Sequence, residues 1–122
     1  MEVLIMAQSQ DCVFCKIIRK EIPSKVVYED DKVIAFHDIN PNAPVHVLVI
    51  PKEHIYSLNQ VNEENNQIIS YIFELIPKLA KQLEIYESGY RVVVNCGKDS
   101  GMAVGHLHFH ILGGKTLSQM LA

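Results

Sequence analysis

Hydrophobic positions along this chain change period several times, and each change marks an element. Over residues 62–84 the apolar side chains recur at helical spacing, at Ile68, Ile69, Ile72, Leu75, Ile76, Leu79 and Leu83, which predicts one long amphipathic helix. Asn62 or Asn65 is placed to cap it, and Glu63-Glu64 suit its positive end. Pro77 falls inside the pattern and should kink or split the helix, because it has no N–H to donate. Residues 16–21 predict a short helix that stops before Pro23, since a residue preceding proline is pushed out of the α region. The remaining apolar runs are of strand length: 25–29 and 33–38 flank Asp30-Asp31 as a hairpin, 45–50 closes at Pro51, and 90–95 and 105–112 follow the long helix. Five strands, one long helix and one short one give an α+β domain built on an antiparallel sheet. Residues 1–10 read as a loose tail and 11–122 as a single domain. The edges of so small a sheet are commonly hidden by dimerisation.

Composition narrows the class. The chain has 122 residues, 48% of them hydrophobic and 20% charged, enough for one globular domain with a real core. A net charge of −3 provides no electrostatic footprint for nucleic acid. The apolar runs are far shorter than the roughly 18 residues of a membrane span, and the opening residues lack the basic start of a secretory signal. The three cysteines, Cys12, Cys15 and Cys96, form an odd set, unlike the dense even set of a disulfide-stapled secreted domain. They imply a cytoplasmic protein in which Cys12-x-x-Cys15 is a metal or redox site. Cys96 reads as a small apolar filler at a strand end.

The histidines carry the chemistry. Three of the six lie within five residues, as His106-Leu107-His108-Phe109-His110. On a strand the rings of this alternating run share one face, about 7 Å apart, while Leu107 and Phe109 enter the core. Imidazole nitrogens need partners, so a row of three is a poor way to pack a sheet. Two readings stand on the residues alone: a metal cage, or a nucleophile flanked by helpers. The preceding Asn95-Cys96-Gly97-Lys98-Asp99-Ser100-Gly101 reads as a glycine turn whose exposed N–H groups can cradle phosphate oxygens. His46 and His54 flank the strand at 45–50; taken singly, each reads as a hydrogen-bonded structural histidine.

Taken together, Phe36-His37-Asp38-Ile39, His46-x-Leu48-Val49-Ile50-Pro51-Lys52-x-His54, Asn95-x-Gly97 and the run from Gly101 through His106-x-His108-x-His110 to Gly114 strongly resemble the histidine triad superfamily. The likeness is closest to its Hint-type nucleoside phosphoramidase branch and covers residues 11 to about 115. The resemblance implies a HIT-like fold whose sheet continues across a two-fold homodimer. It implies binding of purine nucleoside monophosphates and cleavage of P–N (or phosphoanhydride) bonds of AMP-type substrates through a nucleotidyl-histidine intermediate. On the matching positions, His108 would be the nucleophile, His110 would hold phosphate oxygens, and His46 would orient the nucleophile. Asp38 would take the ribose hydroxyls, Ile39 would line the base pocket, and Asn95, Gly101 and Ala103 would bind ribose and phosphate.

The same resemblance assigns Cys12, Cys15, His54 and His106 to a closed structural zinc site, a Cys2His2 set of the tetrahedral kind. The rival reading of Cys12-x-x-Cys15, a thioredoxin-like redox pair, expects a βαβ context that the pattern lacks. Two positions depart from the family. Gly101-Met102-Ala103 stands where members typically read Gly-Gln-Ser/Thr, and Ala103 lacks the hydroxyl thought to assist the leaving group. Gly105 stands where the family commonly has an aromatic or bulky residue, which predicts a wider neighbouring pocket or a more flexible strand. Besides the enzyme, two other functions fit: a nucleotide-binding scaffold with weak turnover, favoured by Ala103, and a hydrolase with a metal on His108 and His110.

Overall fold

The computed structural model describes residues 11–119; the tail expected at 1–10 lies outside the described residues. Its elements run α1 (Val13–Ile18), β1 (Val26–Glu29), β2 (Val33–His37), β3 (Val45–Pro51), α2 (Gln67–Gln82), β4 (Tyr90–Val93) and β5 (Phe109–Gly113). The five strands form one antiparallel sheet in the order β1-β2-β3-β5-β4, the α+β class expected. No helix among the described residues is long and apolar enough to cross a membrane.

Each sheet face has its own cover, which is why β2 and β3 are apolar on both sides. On one face Val33, Ala35, Val47, Val49, Leu107, Phe109 and Ile111 pack against Ile72, Leu75, Ile76 and Leu79 of α2. Burial of that helix stripe drives the packing, and truncating one such side chain to alanine costs roughly 2–5 kcal/mol. On the other face Ile34, Phe36, Leu48 and Ile50 receive Phe14, Ile17 and Ile18 of α1. Asp30 ties the β1–β2 turn to α2. Its Oδ1 accepts the Lys32 and Val33 N–H groups at 2.8 and 2.9 Å, while its Oδ2 accepts the hydroxyls of Tyr28 and Tyr71. Burial raises the Asp30 pKa, but these four donors outweigh it and hold the carboxyl at about 2.

Several boundaries differ from the sequence reading. The short helix lies at Val13–Ile18 rather than 16–21. The Cys12 thiol caps its start by accepting the Cys15 N–H, and Lys20, with a φ of 66°, turns the chain out of the helix soon after. The long helix begins at Gln67, because Asn62 and Asn65 each accept the other's backbone N–H and cap the turn before it. Pro77 does not split the helix; it removes one hydrogen bond while buried Ile72, Leu75, Ile76 and Leu79 on both sides keep the segment on the sheet. β4 stops at Val93, two residues early.

The largest difference concerns the histidine run. β5 begins at Phe109, so only His110 of the three lies on a strand. The β3–β5 ladder ends at the Val49–Phe109 pair. Beyond it Pro51 has no N–H to offer, and Leu107 donates to Ile55 O instead at 2.6 Å. Alternation survives, with Leu107 and Phe109 facing α2 and His106 and His108 meeting Phe14 on the opposite face. Gly105 does not open a pocket either. A Cβ there would fall 2.3 Å from the Tyr56 ring, which already fills the space.

Candidate functional site

His106, His108 and His46 are buried, at 0%, 6% and 3% exposure, so the polarity of their rings must be satisfied inside the protein. Partner chemistry fixes their protons, because carbonyls only accept and backbone N–H groups only donate. His108 Nδ1 lies 2.6 Å from the His106 carbonyl and must donate to it, which leaves Nε2 as a bare lone pair. His46 Nδ1 accepts the Asn42 N–H at 3.0 Å, so in the neutral ring Nε2 holds the proton. That Nε2 lies 2.9 Å from His110 Nδ1 and donates to it. His110 therefore carries its proton on Nε2, a buried nitrogen without a partner among the described residues. An unpaired buried donor is costly, and one beside a bare imidazole nitrogen is arranged to meet an incoming anion. The His108 and His110 ring centroids are 5.0 Å apart.

The His46 and His110 rings sit in a medium that disfavours charge. Burial lowers the His46 pKa, against the upward pull of Asp38, whose Oδ2 lies 3.5 Å from Nε2. Burial, with repulsion from His108 and His46, lowers His110 to about 4 despite Asp38. Neutral imidazoles near pH 7 are what the proton assignment requires.

Asp38 stands at the end of β2, and its N–H donates to His46 O at 2.9 Å. Ile39 follows it, 88% exposed, at the mouth of an open cleft of about 700 Å³ that Pro23, Lys25, His37, Asp38 and His46 also line. An apolar side chain so exposed beside a carboxylate and buried imidazoles suits a ligand with a flat apolar part and hydroxyls. Asn95 follows β4 half-buried, two residues past the Val93–His110 pair. Gly101, with a φ of 83°, closes the turn after residues 98–100 in a conformation that favours glycine. Met102 closes the same turn by accepting the Gly97 N–H on its sulfur at 3.4 Å. Ala103 is exposed and offers no side-chain donor there.

Cys12, Cys15, His54 and His106 converge, with ligand atoms within 4.8 Å of one another. Cys12 Sγ and Cys15 Sγ lie 3.4 and 3.6 Å from His106 Nδ1, and Cys15 Sγ lies 3.3 Å from His54 Nδ1. A tetrahedral ion with zinc-like bond lengths would separate its ligands by about 3.3–3.8 Å, so the set fits a metal. The proton pattern agrees: His106 Nε2 donates to Pro51 O at 2.8 Å, which leaves the lone pair of Nδ1 facing the thiols.

Asp38, His46 and His110 also bring three ligand atoms together. They do not suit a cation, because His46 Nδ1 is already an acceptor and its Nε2 therefore keeps a proton. His108 belongs to neither group, and His110, whose Nδ1 accepts from His46, keeps its proton on Nε2 and offers no lone pair there to a metal shared with His108. Cys96 is half-buried and lies beyond the end of β4 rather than on it, and the Ser57 hydroxyl, with the N–H groups of Asn59 and Leu58, lowers its thiol pKa. The sequence reading missed Phe14, whose ring stands edge-on to both His106 and His108, and the carbonyls of Pro51 and His106. A phenylalanine between two cysteines was the available signal, and backbone acceptors leave none.

Comparison with known proteins identifies the family. Residues 19–117 match the family model described as the HIT domain. A purine nucleoside phosphoramidase of Escherichia coli is 45% identical over 114 residues, covering 93% of this chain and 96% of its own length. Among solved structures, a HIT family hydrolase from Clostridium thermocellum superposes with a TM-score of 0.91 at 50% identity, covering 94% of this chain and all of its own. A histidine triad protein from Clostridium difficile gives 0.90 at 50% identity, over 93% of this chain and 98% of that one.

Proposed function

Because the chain belongs to the HIT domain family and is a hydrolase by its relatives, we propose that it is a purine nucleoside phosphoramidase acting through a nucleotidyl-histidine at His108. The carrying observation is the pair of opposite nitrogens: a bare Nε2 on His108 beside a proton-bearing, partnerless Nε2 on His110.

In the first step the lone pair of His108 Nε2 attacks phosphorus of a nucleoside 5′-phosphoramidate. The P–N bond breaks and the amine departs with its electron pair, taking a proton from solvent water, and the attacking water of the second step returns a proton to solvent. His110 Nε2–H donates to a non-bridging oxygen, where negative charge gathers, and the turn amides near Gly101 and Ala103 supply further N–H groups. In the second step water attacks phosphorus, the bond to His108 breaks, and the nucleoside monophosphate departs. Attack by imidazole thus divides one displacement into two. His46 keeps His110 in its donating tautomer. Asp38 accepts the ribose hydroxyls, Ile39 covers the base, and Asn95 holds ribose or phosphate. Zinc on Cys12, Cys15, His54 and His106 would be structural: four protein ligands close the tetrahedron, and the bound ion stabilises the fold. A two-fold dimer belongs to the same reading, since β1 and β4 leave free sheet edges and Phe73 of α2 is 51% exposed.

Incubation with adenosine 5′-phosphoramidate, acid-free quenching and intact-mass analysis test this. The expected result is hydrolysis with an adenylyl adduct that maps to His108 and is absent in His108→Ala. Near-normal turnover in that variant would remove His108 as the nucleophile. The second reading, a binding scaffold with weak turnover, rests on Ala103; it predicts AMP binding with negligible hydrolysis in the unaltered chain.

A further inference from the structure

The four-residue metal cluster and the candidate nucleophile share one peptide group. His106 places its ring in the cluster and its carbonyl on His108 Nδ1. The same peptide unit continues into Leu107 N–H, which donates to Ile55 O at 2.6 Å. Ile55 directly follows His54, another member of the cluster. The 106–107 peptide is therefore held at both ends, by His108 at its carbonyl and by the residue after His54 at its N–H. The His106 ring is fixed in turn, by Pro51 O at Nε2 and by the thiols at Nδ1.

A second connection runs through α1. Phe14 lies between Cys12 and Cys15, and its ring meets His106 at 6.0 Å and 71° and His108 at 5.1 Å and 83°. Such edge-on contacts fix ring orientation, and Phe14 is 7% exposed. The helix has only six residues, too few to hold its place alone. Its anchorage is the pair of cysteines together with the packing of Phe14, Ile17 and Ile18.

We propose that the Cys12/Cys15/His54/His106 cluster is a positioning device for His108, acting through the His106 carbonyl and the Phe14 ring, so that metal occupancy governs the chemical step. This rests on the reading of His108 as the nucleophile. Emptying the cluster frees the His106 ring and α1 together. The carbonyl then no longer holds His108 Nδ1–H in place, and the ring exchanges between tautomers, one of which presents a proton to phosphorus. The nucleotide cleft at Asp38 and Ile39 lies outside this chain of contacts, so binding changes little.

The test uses the full chain, labelled with ¹⁵N, as the zinc-loaded protein, after chelation, after zinc re-addition, and as Phe14→Leu with zinc bound. Long-range ¹H–¹⁵N spectra at fixed neutral pH read the His108 tautomer without turnover, while steady-state kinetics on adenosine 5′-phosphoramidate separate kcat from KM. The zinc-loaded protein should show a single Nδ1–H tautomer. Chelation should mix the tautomers and lower kcat about 10–100-fold with KM within about threefold, as for other groups that orient a site from outside it. Zinc re-addition should restore both readings. Phe14→Leu should retain the metal and still lower kcat by about tenfold, since one aromatic contact is lost. A chelated protein with an unchanged tautomer and kcat and only a lower Tm would overturn the proposal. If chelation unfolds the chain, an unaltered kcat and tautomer in Phe14→Leu overturn it equally. Absence of turnover in every sample would remove the phosphoramidase reading, and the ring spectra would still decide the positioning.

Discussion

His46 and His110 meet diagonally across β3 and β5: the ladder pairs Leu48 with His110, and His46 Nε2 reaches His110 Nδ1 at 2.9 Å. The contact is directional, because the Asn42 N–H occupies the other nitrogen of His46. One backbone amide in the loop before β3 thus sets the proton on a nitrogen two rings away.

Removing the middle of this relay should disable the far end. His46→Ala lets His110 place its proton on either nitrogen, and turnover should fall about 10–100-fold while the Kd for AMP changes less. His46→Gln, which can offer an amide N–H toward His110, should recover part of the loss. Equal kcat in the alanine variant and the parent would show that the relay does not matter.

Metal content is the second measurable property. About one zinc per chain is expected by elemental analysis of protein prepared without chelator. Cys12→Ser and His54→Ala should each lose it, with a fall in Tm on the order of 10 °C, because the unfolded chain offers no preformed site. Zinc-free protein from such a preparation would sink the assignment.

Acid should destabilise the fold in two stages. His110 resists protonation down to about 4, facing His108, His46 and Asp38, whereas an unfolded histidine binds its proton near 6.5. The unfolded state then holds more protons, so stability falls as pH drops from about 6.5 to about 4, by on the order of 2–3 kcal/mol. Asp30 has the lowered carboxyl, so its contribution is whole above pH 3.8 and is lost as pH falls toward about 2. That second loss is about 2 kcal/mol at most, since the group is part-exposed. Urea unfolding from pH 7 to pH 2 measures both. A flat profile in the upper window, or Asp30→Asn with an unchanged acid limb, contradicts the respective assignment.

The missing hydroxyl at position 103 yields the last prediction. Ala103→Ser should raise turnover of alkylamine phosphoramidates about tenfold, short of the 10²–10⁴-fold of a fully limiting proton donor. Good leaving groups need no protonation and should be unaffected. Plots of kcat/KM against amine pKa decide it: a shallower slope for the serine variant supports a proton relay, and parallel lines reject it.

Much of this protein was legible along the chain because its signals are local. The helical spacing from Ile68 to Leu83 predicts a helix wherever a sheet waits to receive it, and Ile72, Leu75, Ile76 and Leu79 are buried in α2. Asp30-Asp31 announces a hairpin, since a short carboxylate bonds the N–H groups two and three residues on. The alternation of His106, Leu107, His108, Phe109 and His110 sorts rings from core side chains on any extended backbone, and it holds although β5 covers only its last two members.

What the tertiary structure decided is everything that depends on a partner distant in sequence. The proton positions on His46, His106, His108 and His110 follow from Asn42 N–H, Pro51 O, His106 O and one another, and backbone groups of this kind are identical at every residue of a sequence. The start of β5 was set by where β3 runs out of donors at Pro51, and the space beside Gly105 by the Tyr56 ring arriving from another loop. Phe14 became part of the site because α1 lies across the sheet face that carries the histidines. Residue types name the chemistry available to this chain; distances between segments far apart in sequence select which nitrogen is bare and which is protonated.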